Sequence, residues 1–450
     1  MSAHALLAKY AAPVPRYTSY PTAPHFHSGV NCGKYAQWLC ELKVGSKISL
    51  YLHIPYCDRL CWFCACHTKH TLRYEPIATY LQALYLEIDR VGSLVGARAS
   101  VSAVHFGGGS PTMLTPEDMQ AVMQRLRRAF HFAGNVEISV EMDPNDLDDQ
   151  RYDGLASMGL TRASLGIQDF EPKVQASINR IQTFEQTRAA IEAVRARGVQ
   201  SVNCDLLYGL PYQTLDTLEK TVNQVLSLNP DRLALFGYAH VPWMKKHQTM
   251  IPESALPDAV QRFEQMRLAG DMLMAAGYRP IGIDHFAKPE DSMAKADAEG
   301  RLKRNFQGYT VDTADALIGL GASSISQLPQ GYVQNIAATG EYQRSVEESG
   351  LAAQRGIELS AEDRVRARAI ESIMCDFRLS FADLRRLHPG KAEAVIEEAI
   401  DFASTNEDNL CRIEEDCLVV TEQGRPLARV IAAVFDTYLA NGKARHSIAV

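Results

Sequence analysis

Six apolar runs with strand character, each followed by a segment of helical period, fill the middle of this 450-residue chain. The runs lie at 48–54, 101–106, 136–142, 162–168, 201–207 and 232–239, and the helical segments at 75–95, 116–131, 147–158, 183–197, 215–227 and 258–276. Strands alternating with helices pair in parallel, because each helix carries the chain back to the starting edge of the sheet. The pattern predicts an α/β fold with a parallel sheet, either doubly wound or rolled into a partial barrel. In both forms the functional site belongs at the C-terminal strand ends. End signals support the segmentation: Thr115 before Pro116 opens a helix, and Gly198 and Gly277 stand where helices stop.

The flanks are less regular. Residues 1–45 read as an arm rich in Pro, Tyr and Ser, whose aromatics predict that it packs on something. Residues 46–290 are the barrel, and 291–360 an extension in which Arg301–Tyr309 and Leu317–Ile325 read as loops with glycines for close backbone approach. Residues 361–450 begin with an amphipathic helix at 361–376, followed by shorter helices, a hairpin near Cys411–Thr421 and a last helix near 425–440. This small α+β module has a winged-helix outline, but acidic residues outnumber basic ones in it, so a cover is expected rather than a DNA binder. With 46 Lys+Arg against 53 Asp+Glu, the net charge of −7 argues against non-specific binding to nucleic acid or anionic lipid. No apolar run reaches the ~18 residues of a membrane span. Lys9 and the prolines near the N-terminus interrupt what a signal peptide would keep apolar, so a cytoplasmic protein is expected.

In that compartment cysteines are mostly reduced, and Cys32, Cys40, Cys204, Cys375, Cys411 and Cys417 read as small hydrophobes. The other four crowd directly behind the first strand: Cys57, Cys61, Cys64 and Cys66, spaced C-x3-C-x2-C-x-C. Such thiolates can hold a structural zinc, which usually takes two separated pairs. Alternatively, three of them can hold three corners of a 4Fe–4S cube and leave the fourth iron open. Further along, Gly107, Gly108 and Gly109 end the second strand, as an ordinary tight turn or as a ligand-binding loop. Glu137, Ser139 and Glu141 share one face of the third strand, with Glu141 at its end. Asp205 lies in an apolar run, where a carboxylate is costly unless paired or bound to a ligand. With Arg180 it could form a structural ion pair or grip a ligand.

The C-x3-C-x-aromatic-C loop after the first strand resembles the radical S-adenosylmethionine superfamily. Arg16-Tyr-Thr-Ser-Tyr-Pro-Thr22, the fourth cysteine, Gly107-Gly-Gly-Ser-Pro-Thr112, Asp205-Leu-Leu-Tyr-Gly-Leu-Pro211 and Arg304-Asn-Phe-Gln-Gly-Tyr309 resemble, in order, the oxygen-independent coproporphyrinogen III oxidases. The resemblance implies a partial (β/α)6 barrel with an N-terminal arm and a small C-terminal domain. It implies that Cys57, Cys61 and Cys64 ligate a 4Fe–4S cluster whose open iron takes one S-adenosylmethionine, and that a second S-adenosylmethionine binds beside it. Tyr51 and Phe63 flank the first cofactor. Gly108, Gly109, Ser110 and Glu141 also serve cofactor binding, with Glu141 accepting from ribose hydroxyls; Ser110 stands where the family often has Thr. Gln168 is a further cofactor-binding residue, Arg180 and Asp205 belong to the second cofactor, and Ala239 and Ile325 act through backbone and shape. Tyr51 and Cys66 are the catalytic candidates, Cys66 as a nearby non-ligand. Arg16, Tyr17 and Tyr20 would cover the substrate mouth. Arg304 and Lys303 would either meet substrate propionates or form a solvated basic run. The implied reaction converts two propionates of coproporphyrinogen III to vinyl groups, giving protoporphyrinogen IX. An external one-electron donor such as a flavodoxin or ferredoxin would supply electrons to a monomer.

Overall fold

The computed structural model describes residue 6, residues 9–10, 13–145 and 147–439. All six expected strands and helices form within it. The strands are β1 (Ser46–Ile54), β2 (Ala99–Gly108), β3 (His131–Met142), β4 (Arg162–Gln168), β5 (Ser201–Tyr208) and β6 (Arg232–Gly237). The helices between and after them are α1 (Glu75–Val95), α2 (Pro116–Ala129), α3 (Asp149–Met158), α4 (Phe184–Ala196), α5 (Leu215–Ser227) and α6 (Ala259–Ala275). The six strands pair in parallel, each with the next. Helix ends follow their local chemistry: the Thr115, Thr183, Thr214 and Asp258 side chains each accept from a backbone N–H in the first turn. Gly198 and Gly277 adopt φ of 89° and 91° just past α4 and α6.

Successive helices touch, α1 with α2, α2 with α3, α3 with α4, and α5 with α6, so they make one layer on one face of the sheet. That arrangement decides between the two expected forms in favour of the rolled sheet. Its consequence is plain in β4 and β5, where fully buried residues alternate with half-buried ones. The buried set (Ala163, Leu165, Ile167, Val202, Cys204, Leu206) belongs to the main core that the helices cover. The half-buried set faces inward and is mostly polar.

Beyond α6 the sheet continues past the expected barrel. Strand β8 (His285–Ala287) adds antiparallel to β6, and β7 (Arg279–Ile281) pairs antiparallel with β8 at the edge. At the other edge β9 (Ala316–Leu320) runs parallel to β1, followed by antiparallel β10 (Ile325–Leu328), β11 (Gly331–Asn335) and β12 (Ala353–Glu358). The order is β12-β11-β10-β9-β1-β2-β3-β4-β5-β6-β8-β7. Segment 317–325, read as a loop from its glycines, is thus largely strand. A Cβ on Gly319 would lie 2.8 Å from the Ile325 carbonyl oxygen, so glycine serves close strand packing. The basic stretch near Arg304 likewise forms a small ribbon, Lys303–Asn305 against Gly308–Thr310.

The C-terminal part has its own core, built by helices Ala361–Asp376, Phe381–Leu387, Glu393–Thr405 and Ala428–Ala433 around a three-stranded sheet. The last of these is shorter than the helix expected near 425–440, and position 440 lies outside the described residues. Leu6, Tyr17 and Tyr20 of the arm are buried in this same core. Tyr17 donates to Asp436 at 3.0 Å, and Tyr20 bonds Thr437. The two tyrosines therefore anchor the arm instead of covering a mouth, while Arg16 beside them stays exposed. The expected arm also includes positions 1–5, 7–8 and 11–12, which lie outside the described residues.

Candidate active site

The cysteine loop leaves the C-terminal end of β1 and is fastened on every side. Trp62 N–H donates to the Ile178 carbonyl at 2.9 Å, and Asn179 Nδ2 to that of Leu60 at 2.9 Å. Gln248 Nε2 donates to the Phe63 carbonyl at 3.0 Å, His247 Nε2 lies 2.7 Å from the Cys64 carbonyl, and Lys245 Nζ donates to that of Cys66 at 2.9 Å. Segment 245–248 thus holds the loop from the far side of the barrel, and no spacing in the sequence announces it. Gln248 is fully buried and also donates to the Ala239 carbonyl at 3.2 Å, so it joins two residues of the expected cofactor site.

Cys61 is buried, Cys57 and Cys64 are half-buried, and Cys66 is exposed. Burial, then the neighbouring Cys64 and Cys61, pushes the Cys57 thiol up to about 12. Cys66 keeps its proton and shares it with Cys64, whose thiol falls to about 7 through that hydrogen bond. Arg180 Nη1 lies 3.7 Å from Cys61 Sγ and favours its thiolate, although burial outweighs it. Among the described residues no three His, Cys, Asp or Glu side chains converge closely enough to hold a single metal ion. A lone zinc needs its thiolates around one point, whereas the thiolates of a 4Fe–4S cube bind separate irons. Three thiols of one loop, Cys57, Cys61 and Cys64, are a donor set that fits the larger group, and iron coordination would supply the positive charge that the raised thiols of Cys57 and Cys61 require.

Below the loop lies the polar inner face. Tyr51 (β1) stacks on His105 (β2) with centroids 5.8 Å apart, and its hydroxyl bonds His53 Nδ1 at 3.0 Å. Burial keeps the Tyr51 phenol well above its ordinary value, hence neutral. His105 bonds Ser139 Oγ at 2.6 Å and Glu141 Oε1 at 3.3 Å. Glu141 also accepts from Gly108 N–H at 3.1 Å. Burial alone would raise this carboxyl; His105 and then the Gly108 amide outweigh it and hold it below the ordinary carboxylate value, ionised. Gly108 has φ of 112°, and a Cβ there would lie 2.7 Å from the His53 ring. A Cβ on Gly109 would lie 2.5 Å from the Tyr56 carbonyl oxygen. These glycines close the turn onto β1 itself, with Ser110 buried and bonded to Thr112 at 2.8 Å.

Asp205 and Arg180 do not pair. Arg180 forms its ion pair with Asp143 at 3.0 Å and donates to the Gly166 carbonyl at 2.7 Å. The sequence overlooks Asp143 because it follows β3 with no motif around it. Asp205 accepts from Asn203 Nδ2 at 2.7 Å and from Ser164 Oγ at 3.3 Å, with no cation bonded to it among the described residues. Burial raises its carboxyl to about 6. Two buried atoms beside these groups, Arg180 Nε and Asn203 Oδ1, have no hydrogen-bond partner among the described residues. A donor and an acceptor left open in one polar face suit a ligand with both functions. Gln168 ends β4 at φ of 68°, a conformation rare for a side-chain-bearing residue and one that clusters at functional sites. Ile325 flanks the opposite edge of the barrel, in β10. Lys303, by contrast, lies 3.5 Å from Glu371 and is taken up by that ion pair.

A match to the Radical SAM superfamily covers residues 51–225, the span from the first strand to the fifth helix. The oxygen-independent coproporphyrinogen III oxidase of Bradyrhizobium diazoefficiens is 47% identical over 97% of this chain and 97% of its own. That of Paracoccus denitrificans is 46% identical over 96% of both. Among solved structures, the Escherichia coli coproporphyrinogen III oxidase, a radical SAM enzyme, superposes with a TM-score of 0.91 at 38% identity, covering 96% of this chain and 98% of that one. The chain belongs to the oxygen-independent coproporphyrinogen III oxidases. Its cofactors are accordingly a 4Fe–4S cluster and S-adenosylmethionine. No helix among the described residues is long and apolar enough to cross a membrane.

Proposed function

We propose that this oxidoreductase converts two propionates of coproporphyrinogen III to vinyl groups without oxygen, giving protoporphyrinogen IX in haem biosynthesis. The observation that carries the reading is the cysteine loop pinned over the C-terminal strand ends, beside a polar inner face with open hydrogen-bonding atoms. When bound, the cluster and S-adenosylmethionine supply a 5′-deoxyadenosyl radical able to take hydrogen from a propionate β-carbon. Cys57, Cys61 and Cys64 would each give one thiolate to the cluster, and an iron without a protein ligand would be available to the first S-adenosylmethionine. Cys66, whose N–H lies 3.4 Å from Cys64 Sγ, stays outside the cluster. Tyr51 and Phe63 flank the first cofactor at the glycine turn of Gly108, Gly109 and Ser110. The ionised Glu141 accepts from its ribose hydroxyls.

A second S-adenosylmethionine lies on the side of Gln168, Arg180 and Asp205. Asp205 with Asn203 Oδ1 suits its amine, and Arg180, steadied by Asp143, its carboxylate. Ala239 and Ile325 close the site by backbone and shape. An external flavodoxin or ferredoxin delivers single electrons to the monomeric enzyme in the cytoplasm.

The test is an anaerobic assay of the purified, cluster-loaded chain with coproporphyrinogen III, S-adenosylmethionine and a reductant. Two vinyl groups and two molecules of carbon dioxide per substrate are expected. Cleavage of S-adenosylmethionine with no change in the porphyrinogen would overturn the substrate assignment.

A further inference from the structure

A second cavity, of about 560 Å³, opens where the C-terminal ends of β5 and β6 meet α6, the arm and the C-terminal module. Its volume falls within the range of small-molecule sites. What distinguishes it is an excess of arginine over carboxylate. Arg16, Arg262 and Arg304 line it, and none of the three forms an ion pair with a carboxylate among the described residues. Arg267 and Arg425, which also line it, are matched by Asp271 and Glu422.

The geometry brings these guanidinium groups together. Arg16 Nη2 donates to the Gly237 carbonyl at 3.1 Å. Arg262 lies against the same residue: a Cβ on Gly237 would be 3.1 Å from Arg262 Nη2, and one on Gly209 2.6 Å from its Nη1. Two glycines at strand ends thus make room for an arginine that has no acidic partner among the described residues. Arg304 donates to the Arg16 and Tyr17 carbonyls at 3.1 and 3.3 Å and packs 4.4 Å from the Tyr309 ring centre, yet its buried Nη1 has no partner among the described residues. Asp284 also lines the cavity; burial would raise its carboxyl, but His285 at 2.6 Å and then the charges of Arg304 and Arg16 hold it low, so one carboxylate is shared among several cations. Burial lowers the guanidinium of Arg262; Tyr208 opposes this, and the charge of Arg16 adds to it. Like charges gathered at a cost to stability, beside a reaction site, point to an anionic ligand.

We propose that this cavity is the carboxylate anchor of the substrate site, in which Arg16, Arg262 and Arg304 hold propionates of coproporphyrinogen that are not reacting. The inference rests on the substrate reading above and extends it. The chemistry selects which propionates these are. A reacting carboxylate must leave as neutral carbon dioxide, so a tight ion pair would stabilise the ground state and slow the step. A spectator carboxylate suffers no such penalty, and the planar fork of arginine matches it. The cavity adjoins Ala239, so a macrocycle anchored there extends its other edge towards the cofactors.

Anaerobic equilibrium dialysis of the cluster-loaded protein without S-adenosylmethionine measures binding with no turnover. The probes are coproporphyrinogen III and its tetramethyl ester. Arg262→Gln should weaken binding of the acid about ten- to a hundredfold and leave the ester unaffected, with Arg262→Lys between. Removing one of several like charges should leave the melting temperature unchanged or raised, whereas loss of a structural arginine would lower it. Arg16→Gln, at an exposed position, is the second variant and should show the same selective loss. Equal affinity for the acid in wild type and both variants overturns the inference, as does a loss shared equally by acid and ester. If the wild type neither binds nor converts coproporphyrinogen, the substrate reading fails first; if it does both and the variants bind normally, the anchor alone fails.

Discussion

Cys61 is the most enclosed thiol of its loop and the one nearest a guanidinium, so it has the least freedom to be replaced as a ligand. Cys61→Ser should reduce bound iron to background and bleach the brown absorption, while circular dichroism stays unchanged because serine fits the same space. Cys66→Ser should keep its iron; loss of the cluster there would make Cys66 a fourth ligand. Asp205 permits a test whose sign follows from its burial. Its carboxyl ordinarily titrates near 4 and is raised to about 6 in the fold. Between those values the folded state holds a proton that the unfolded state has released, so stability falls as pH rises through the window. Asp205→Asn lacks this loss. Thermal melts should therefore show the variant gaining on wild type from pH 4 to pH 7, while equilibrium binding at neutral pH falls from two S-adenosylmethionine molecules to one. A variant that loses stability at pH 7 and still binds two would return Asp205 to a purely structural role.

At the scale of elements, the short 3-10 turn Lys246–Met250 acts as a latch on the cysteine loop. Gln248→Ala leaves the carbonyls of Phe63 and Ala239 without a donor and the Val241 N–H without its acceptor, at a cost of about 1–3 kcal/mol for each group left unsatisfied. The expected result is a lower melting temperature and a KM for S-adenosylmethionine raised about tenfold or more; an unchanged KM would mean that the latch does not set the cofactor site. Nothing in the sequence marks Gln248, because its neighbours in space come from 63 and 239 and no local spacing encodes that meeting. The six strand–helix units were legible for the opposite reason: period, caps and terminal glycines are local. Strand β9 was hidden by its own glycines, which look like a loop until β10 is seen packed against Gly319. Asp143, behind β3, holds Arg180, while Asp205, in β5, is bonded by Ser164 and Asn203 instead; no local spacing tells which of the two acids meets the arginine. The arm shows both sides. Its aromatic content signalled packing, but not that Tyr17 would enter the C-terminal core; Tyr17→Ala should cost about 3–5 kcal/mol in chemical denaturation. Deleting residues 1–30 therefore unsettles that module as well as the site, and point substitutions are the better probes of the arm.

Over the whole molecule, arm, barrel and C-terminal module meet around one cationic cavity, and their union responds to salt in a way that separates the empty from the occupied state. In the substrate-free enzyme Arg16 and Arg262 repel one another across the seam between the barrel and the module, with Arg304 lining the same cavity. Salt shortens the screening length from about 10 Å at 0.1 M to about 3 Å at 1 M, which weakens that repulsion. The free enzyme should thus melt at higher temperature as salt rises. The net charge of −7 adds a general contribution of the same sign, so the increment must be compared with that of Arg262→Gln, which makes the net charge more negative but removes one repelling cation. If the seam dominates, the variant gains less from salt than wild type; if general repulsion dominates, it gains more. The complex should behave inversely. Screening weakens the attraction between propionates and arginines, so the affinity for coproporphyrinogen III should fall with salt, and fall less steeply in Arg262→Gln. Hydrogen exchange offers the spatial check: substrate should slow exchange in Ala259–Ala275 and Ala428–Ala433, on opposite sides of the cavity, more than in Glu75–Val95 on the far side of the barrel. Protection confined to the barrel helices would mean that the module takes no part in holding the substrate, and the salt dependence of binding would then have to arise from the strand ends alone.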